Sequence, residues 1–282
     1  MKVVAQLLFF VLGFFATDQG NSQPIRSPIS APYVGMGAYS NNHIDVFSFT
    51  SNQAALAKLN SAAAGLYSEK RFLLNELGFY DAAIAVPTRS GTFGLDARYY
   101  GFSDYNETQA GIAYARSLGS KMDLGIQFNY YGIRIPGYGN ASSINFEMGT
   151  ILHVTDNVNA GLHVYNPLRS KIGKNGEERL ASLYDFGICF EPSKNFFFTV
   201  LVGKEENKPA SINTAMQYNF LPSVAARLGI SVTTASMYMG LGFGWRSMRV
   251  DATISYHPEL GITPGLMLFL PISHKREPTD TQ

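Results

Sequence analysis

The chain has 282 residues, a net charge of +1 and a single cysteine, Cys189. The near-neutral charge gives no reason to expect a nucleic-acid partner, and one cysteine excludes an intramolecular disulfide. Charged residues make up 15% of the chain, compared with about 25% in soluble domains, while glycine, tyrosine and phenylalanine are plentiful. This composition predicts that much of the surface faces a medium other than water.

The first 22 residues have the pattern of an export signal. Lys2 is a short positive region, residues 3–16 are an apolar run, and Gly20 and Ser22 are small residues that precede Gln23. A membrane anchor is the alternative, but the run is shorter than the roughly 20 residues that a helix needs to cross a bilayer. We therefore expect a cleavable signal over residues 1–22.

From about residue 63 the chain repeats one pattern, in which about ten residues of alternating apolar and polar character are followed by a break. Met237, Met239 and Leu241, for example, alternate with small or polar residues such as Gly240 and Gly242. A period of two predicts β-strands. Fourteen strands are predicted, over residues 63–73, 77–87, 91–102, 106–118, 121–134, 142–154, 157–166, 181–191, 195–204, 209–220, 223–233, 236–246, 249–257 and 262–272.

The connections separate this pattern from that of a soluble β-sandwich, which also alternates. Breaks after even-numbered strands are tight, as in residues 118–121, and those after odd-numbered strands are mostly longer, as in residues 166–181. Short turns at one end, longer loops at the other and an even strand count are typical of bacterial outer-membrane barrels. The predicted fold class is therefore all-β, a transmembrane antiparallel barrel of about 14 strands.

The pattern divides the chain into four predicted parts. The signal is followed by an N-terminal periplasmic or plug segment over residues 23–62, which is too long to be a linker only. The barrel covers residues 63–272, and its inward-facing glycines leave room for that segment. Residues 273–282 are predicted to form a polar periplasmic tail.

Aromatic residues fall near both ends of the predicted strands, at the depth that amphipathic rings prefer in membranes. One predicted belt, at the short-turn end, contains Phe190, Phe196, Phe220 and Trp245, and the other contains Tyr99, Tyr130 and Tyr256. An arginine facing lipid at the midplane costs about 2–4 kcal/mol. Leu241→Arg is therefore expected to disturb assembly, whereas the lumen-facing change Gly242→Ser is expected to be mild.

The block PYVGMGAYSNNHIDVFSFTSNQAALAKL, residues 32–59, has the character of a sequence motif. Its matching residues are Gly35, Met36, Gly37, Asn52, Ala54, Ala55 and Leu56. In this block the chain resembles the PorV/PorQ branch of the FadL-like outer-membrane superfamily, found in Bacteroidota, in which a glycine-rich run precedes N-P-A-[AG]-L. Gln53 stands where that family usually has proline.

The resemblance implies two classes of function. PorV-like proteins hold type IX secretion components or secreted cargo at the cell surface, whereas FadL-like proteins pass hydrophobic small molecules through the barrel and out by a lateral gap. The short N-terminal segment and modest loops favour a non-enzymatic accessory or partner-binding role in type IX secretion, with outer-membrane lipid as a further partner. The alternative is a FadL-like transporter in the outer membrane.

Catalytic motifs are absent from the sequence, which has no G-x-S-x-G elbow, HExxH pair or metal-spaced Cys/His cluster. His153 and His163 are predicted to face inward with Asn145, Glu147 and Asn159. These five residues suggest either a site or a hydrogen-bonded lumen network, and the network is favoured because polar lumen residues are the rule. We expect no catalytic residue, cofactor or metal, and the pattern does not specify ligand-binding residues.

Overall fold

The computed structural model describes residues 24–26, 29, 33–39, 42–137, 139–173, 179–246 and 248–275. The predicted signal, residues 1–22, and residues 276–282 of the predicted tail lie outside this range. No helix among the described residues is long and apolar enough to cross a bilayer.

Fourteen antiparallel strands form a closed barrel in which each strand pairs with its neighbours in sequence and β1 pairs with β14. The strands are β1 Ser61–Lys70, β2 Gly78–Pro87, β3 Thr92–Phe102, β4 Tyr105–Leu118, β5 Met122–Ile135, β6 Gly139–Thr155, β7 Val158–Tyr165, β8 Leu183–Ser193, β9 Phe196–Glu205, β10 Ser211–Leu221, β11 Val224–Ser231, β12 Ser236–Trp245, β13 Met248–His257 and β14 Gly261–Lys275. Short 3₁₀ helices occupy Pro24–Arg26, Ser48–Thr50, Gln53–Lys58, Arg71–Leu73 and Asn75–Leu77. The predicted all-β barrel of 14 strands is confirmed.

The predicted first strand extends too far along the chain. β1 ends at Lys70, because Phe72 and Leu73 adopt positive φ angles of 54° and 62° that interrupt extended backbone. β14, by contrast, continues past the predicted end at 272 to Lys275. The first residues of the predicted tail therefore belong to the barrel.

The connections at the loop end vary more in length than predicted. The β7–β8 connection spans residues 166–182 and the β1–β2 connection spans 71–77, but the β3–β4 connection is residues 103–104 alone. β6 also begins at 139, before the predicted 142, so residues 136–138 alone join it to β5. Hydrogen bonds between neighbouring strands therefore continue into residues that composition alone would assign to loops.

Side chains alternate between the outer surface and the lumen, as a period of two requires. Leu241 and Trp245 are 51% and 72% exposed on the outside, whereas Arg227 and Asp251 are buried in the lumen. Large apolar side chains are exposed on every strand from β1 to β14. The outer surface is therefore suited to hydrocarbon rather than to water.

The hydrophobic core lies inside the barrel and includes side chains from the described residues 24–26, 29, 33–39 and 42–60, which we call the lumen segment. Its largest cluster joins Ile25, Val46, Phe47, Phe49 and Leu56 of the lumen segment to Tyr67, Phe79, Tyr100, Met267 and Phe269 of the strands. Burying one such side chain contributes roughly 1.5–3 kcal/mol. The lumen segment is thus held by its own apolar side chains against strands β1 to β5 and β14.

Candidate functional site in the barrel lumen

Asn52 joins the two halves of the sequence motif inside the lumen. Its side-chain amide donates to the backbone oxygens of Gly37 at 2.8 Å and Leu162 at 3.2 Å. Its Oδ1 accepts a hydrogen bond from the backbone N–H of Ala54 at 3.1 Å, which caps the helix Gln53–Lys58. The asparagine is fully buried, so one side chain fixes the glycine run, the short helix and β7 together.

The glycine run passes so close to the barrel wall that side chains are excluded there. A Cβ atom on Gly35 would lie 2.7 Å from the backbone nitrogen of Ala215, and one on Gly37 would lie 3.1 Å from the Cα of Gly187. Thr199 donates from Oγ1 to the backbone oxygen of Gly35 at 3.0 Å. The run therefore lies directly on strands β8 to β10.

The other motif residues are apolar contacts within the lumen. Met36, Ala54 and Ala55 pack in one cluster and Leu56 in the larger one. Gln53, at the position of the family's proline, is buried and donates from Nε2 to the backbone oxygen of Phe49 at 3.3 Å. The motif thus shapes packing within the lumen.

Strands β5 and β7 carry glycines where the backbone of the lumen segment approaches the wall closely. A Cβ atom on Gly125 would lie 2.4 Å from the carbonyl carbon of Gln53, and one on Gly161 would lie 2.0 Å from the oxygen of Gly37. Such distances are far below van der Waals contact. Glycine at these two positions therefore leaves room for the backbone of the lumen segment.

An ion-pair chain, formed by Asp45, Arg249, Asp251 and Arg227, connects the lumen segment to the wall. Asp45 accepts hydrogen bonds from the hydroxyl of Tyr33 at 2.7 Å and from Nη2 of Arg249 at 2.8 Å. Arg249 Nε lies 3.1 Å from Asp251 Oδ1, and Asp251 also pairs with Arg227. Buried charges are strongly destabilising without partners, so Asp45 ties the lumen segment to β13.

His43 lies beside the ion-pair chain and is uncharged. Burial, followed by the positive charges of Arg227 and Arg249, lowers the pKa of His43 to about 4. Its neutral Nδ1 therefore accepts the hydrogen bond from the side-chain amide of Gln217, at 3.2 Å. The imidazole adds no charge to this part of the lumen at pH 7.

The two inward histidines form separate clusters rather than one site. His153 contacts Asp123 and Asn159, each at 2.8 Å. His163 contacts Glu147 at 2.9 Å and Asp185 at 3.1 Å. Both rings are hydrogen-bonded at both nitrogens, as expected of a lumen network.

The predicted fifth member, Asn145, joins the His163 cluster through Asn129, whose side-chain amide donates to both Asn145 and Glu147. Its side-chain amide donates to the hydroxyl of Tyr165 at 3.1 Å. Within the described residues, no group of three or more histidine, cysteine or acidic side chains is arranged to hold a metal ion. Many polar side chains of this region bond to one another, but among the described residues the buried Oε1 of Gln127 and Oγ of Ser143 have no hydrogen-bond partner.

Two cavities border the lumen segment, and strands β10 to β12 line both of them. The loop-end cavity, of about 350 Å³, includes Val34, Asn213, Ser231, Thr233 and Tyr238 in its lining. The short-turn cavity, of about 160 Å³, includes His43, Asp45, Gln217, Arg227, Gly242 and Arg249. Neither cavity is predictable from the sequence, because each lining comes from segments that are far apart along the chain.

A third cavity, which we call the wall cavity, lies on the outer surface and has a volume of about 490 Å³. Its lining includes Leu66, Tyr80, Ala82, Ala97, Tyr99, Leu266 and Leu268. Ala82 and Ala97 are cross-strand partners on β2 and β3. Their small side chains leave a recess among the larger apolar ones.

The predicted belt residues lie on the outer surface near strand ends. Phe190, Phe220 and Trp245 are exposed toward the short-turn end, while Phe196 is partly buried. Tyr99, Tyr130 and Tyr256 are exposed toward the loop end. Their position at a membrane interface stays a prediction.

A closed 14-strand antiparallel barrel with an apolar outer surface has the architecture of a bacterial outer-membrane β-barrel. No protein-family profile matches the chain, and no curated protein sequence matches it. The evidence from known proteins is therefore structural.

Solved structures of hydrocarbon channels share this fold. The CymD monoaromatic hydrocarbon channel matches with a TM-score of 0.64 at 11% identity, over 88% of this chain and 99% of that one. The Pseudomonas putida toluene transporter TodX gives a TM-score of 0.65 at 8% identity, over 89% and 100%. A Pseudomonas aeruginosa FadL homologue gives 0.54 at 10% identity, over 84% and 94%. The first two are a channel and a transporter by description, and at such low identity the likeness establishes the fold alone.

Proposed function

We propose that this chain is an outer-membrane barrel that transports small hydrophobic molecules, reaching that membrane by means of a cleaved signal over residues 1–22. The wall cavity is the observation that carries the proposal. Its volume of about 490 Å³ falls within the roughly 300–1,000 Å³ of small-molecule sites. Its lining is mostly leucine, alanine and tyrosine, which suits an apolar ligand, and its two charged members, Asp81 and Arg98, pair with each other at 3.4 Å.

The fold supports the same function. The structures that the barrel resembles are described as monoaromatic hydrocarbon channels and toluene transporters, and the barrel matches nearly their whole length. In the described state the pairing of β1, β2 and β3 is continuous across the wall cavity. Passage from lumen to lipid therefore requires movement of the wall or of the lumen segment.

Binding of radiolabelled toluene to the purified protein in detergent tests this proposal. Ala82→Trp together with Ala97→Trp fills the wall cavity and is expected to lower binding at least ten-fold. Ala226→Trp, on the outward face of β11, is the matched control and should bind like the wild type. Absence of saturable binding to the wild-type protein, or equal binding by the filled variant, contradicts the proposal.

An accessory role in type IX secretion is the second candidate, and the packed lumen favours it. The motif that resembles the PorV/PorQ branch is used to seat the lumen segment on the wall, through Asn52 and Gly37. A barrel filled in this way suits the binding of partner proteins, such as secretion components or secreted cargo, at its rim.

Copurification after mild detergent extraction separates the two candidates. Type IX components recovered in stoichiometric amount support the accessory role. A stoichiometric hydrophobic ligand recovered without a protein partner contradicts it and supports transport.

A further inference from the structure

The rim of the barrel at the short-turn end is basic. Five exposed basic residues lie there against one exposed acidic residue, Asp156, among the side chains whose exposure the structure describes. The basic residues are Arg89, Arg116, Lys121, Lys194 and Arg246. The short-turn rim therefore presents positive charge at the edge of the apolar outer surface.

Three of these residues lie together at the short-turn ends of β2 to β5. This group, which we call the basic cluster, consists of Arg89, Arg116 and Lys121. The hydroxyl of Tyr114 on β4 donates to the backbone oxygen of Ser90 at 2.7 Å, and a Cβ atom on Gly91 would lie 2.6 Å from the backbone oxygen of Ala115. The β2–β3 turn therefore rests on the end of β4, which brings the arginine of that turn close to the arginine of β4.

The basic cluster has no ion-pair partner within the described part of the chain. Residues 86–95 and 112–122, which surround it, contain no acidic residue. Asp123, the next residue of β5, is buried inside the barrel and pairs with Lys58 and His153. An anionic partner for the basic cluster must therefore come from outside these segments.

The outer surface next to the basic cluster is apolar and aromatic. Phe93 and Tyr114 are cross-strand partners with ring centroids 5.0 Å apart. Ile112 and Leu124 are exposed beside them, and Leu124 is the cross-strand partner of Arg116. Arginine and lysine at a membrane interface lay their aliphatic stems along such a surface and keep their charges at the level of the headgroups.

We propose that the basic cluster binds the headgroup of an anionic phospholipid, whose acyl chains lie against Phe93, Ile112 and Leu124. Arginine side chains match the geometry of phosphate oxygens, and basic residues at a membrane surface attract anionic lipids. A free phosphate ion supplies the charge but cannot use the apolar surface. The bound lipid holds the short-turn rim at the membrane surface, and the proposal requires the barrel to lie in a bilayer.

Quenching of a single tryptophan by brominated lipid identifies the lipid beside the basic cluster. Trp245 is the one tryptophan of the chain, so Phe93→Trp together with Trp245→Phe places the only reporter at the proposed site. The protein is reconstituted in vesicles of equal parts phosphatidylglycerol and phosphatidylcholine, with one of the two lipids brominated. Brominated phosphatidylglycerol should quench at least twice as strongly as brominated phosphatidylcholine, and equal quenching overturns the proposal.

Neutralising the basic cluster in the reporter protein tests the residues themselves. Arg89→Gln, Arg116→Gln and Lys121→Gln together should make the two brominated lipids quench equally. The matched control removes the same charge from exposed positions nearer the loop end, through Arg134→Gln, Lys171→Gln and Lys204→Gln, and should retain the preference. A preference that survives the first set of changes, or is lost with the second, overturns the proposal.

Native mass spectrometry gives a second test that needs no variant. The wild-type protein in detergent with equal amounts of the two lipids should carry at least three-fold more phosphatidylglycerol than phosphatidylcholine, and an excess of inorganic phosphate should leave this ratio unchanged. Equal retention, or loss of the preference in phosphate, overturns the proposal. No member of the basic cluster lines the wall cavity, so its failure is distinguishable from a failure of hydrocarbon binding.

Discussion

The side-chain oxygen of Asn52 lies 2.0 Å from the position that a Cβ atom of Gly149 would occupy. The same oxygen caps the short helix of the lumen segment by accepting the backbone N–H of Ala54. Asn52 of the N-terminal segment and Gly149 of β6 therefore constrain each other, although neither residue identifies this contact in the sequence.

Gly149→Ala is expected to destabilise the barrel because the new methyl group collides with Asn52. Overpacking of this kind costs about 1–3 kcal/mol. Gly240→Ala is the matched control, because its new Cβ atom would lie no nearer than 3.5 Å to any neighbouring atom, which is an ordinary contact distance. Urea unfolding followed by Trp245 fluorescence measures both, and equal midpoints for the two variants contradict the observed fit.

Asn52→Ala is expected to lower the free energy of unfolding more than an ordinary surface substitution does. It removes the cap of the helix Gln53–Lys58 and leaves the buried oxygen of Gly37 without its side-chain donor. An unsatisfied buried group costs about 1–3 kcal/mol. Asn157→Ala, in the exposed β6–β7 turn, should change stability by less than about 0.5 kcal/mol, measured by the same unfolding assay. Similar losses for the two asparagines argue against the proposed role of Asn52.

Leu241→Arg is expected to reduce assembly in the membrane by placing a charge on the lipid-facing surface. The expected cost is about 2–4 kcal/mol at the bilayer midplane. Gly242→Ser is a poor control, because a Cβ atom there would lie 2.5 Å from Asp251 Oδ1. Gly240→Ser is the better lumen-facing control. The folded fraction, read from heat-dependent gel mobility, should fall for Leu241→Arg alone.

The orientation of the barrel is tested by labelling intact cells with a membrane-impermeant maleimide. In a Cys189→Ala background, Leu168→Cys in the exposed β7–β8 loop is expected to react, because the loop end is predicted to face outside. Lys194→Cys lies in the exposed β8–β9 turn at the opposite end. It should react only after the outer membrane is disrupted, and the reverse pattern would invert the orientation.

Local patterning determined the strands of this protein and the side on which each residue lies. A strand turns successive side chains to opposite faces, so the alternation of Met237, Met239 and Leu241 with glycines is sufficient to predict lipid and lumen faces. It failed at Phe72 and Leu73, where apolar residues continue the pattern but the backbone leaves the extended region. Hydropathy does not report backbone dihedral angles.

The tertiary structure decided what the lumen contains and how it is held. Asp45 and Arg249 are 204 positions apart in sequence. Each lumen cavity is likewise lined by segments that are far apart along the chain. The inward glycines look alike in the sequence, although a Cβ atom on Gly161 would collide with the backbone of Gly37 and one on Gly240 would meet its neighbours at ordinary contact distances. Alternation with the immediate neighbours specifies which face of the sheet a residue occupies. Packing density instead depends on which remote segment lies opposite the residue, and only the closed barrel brings those segments together.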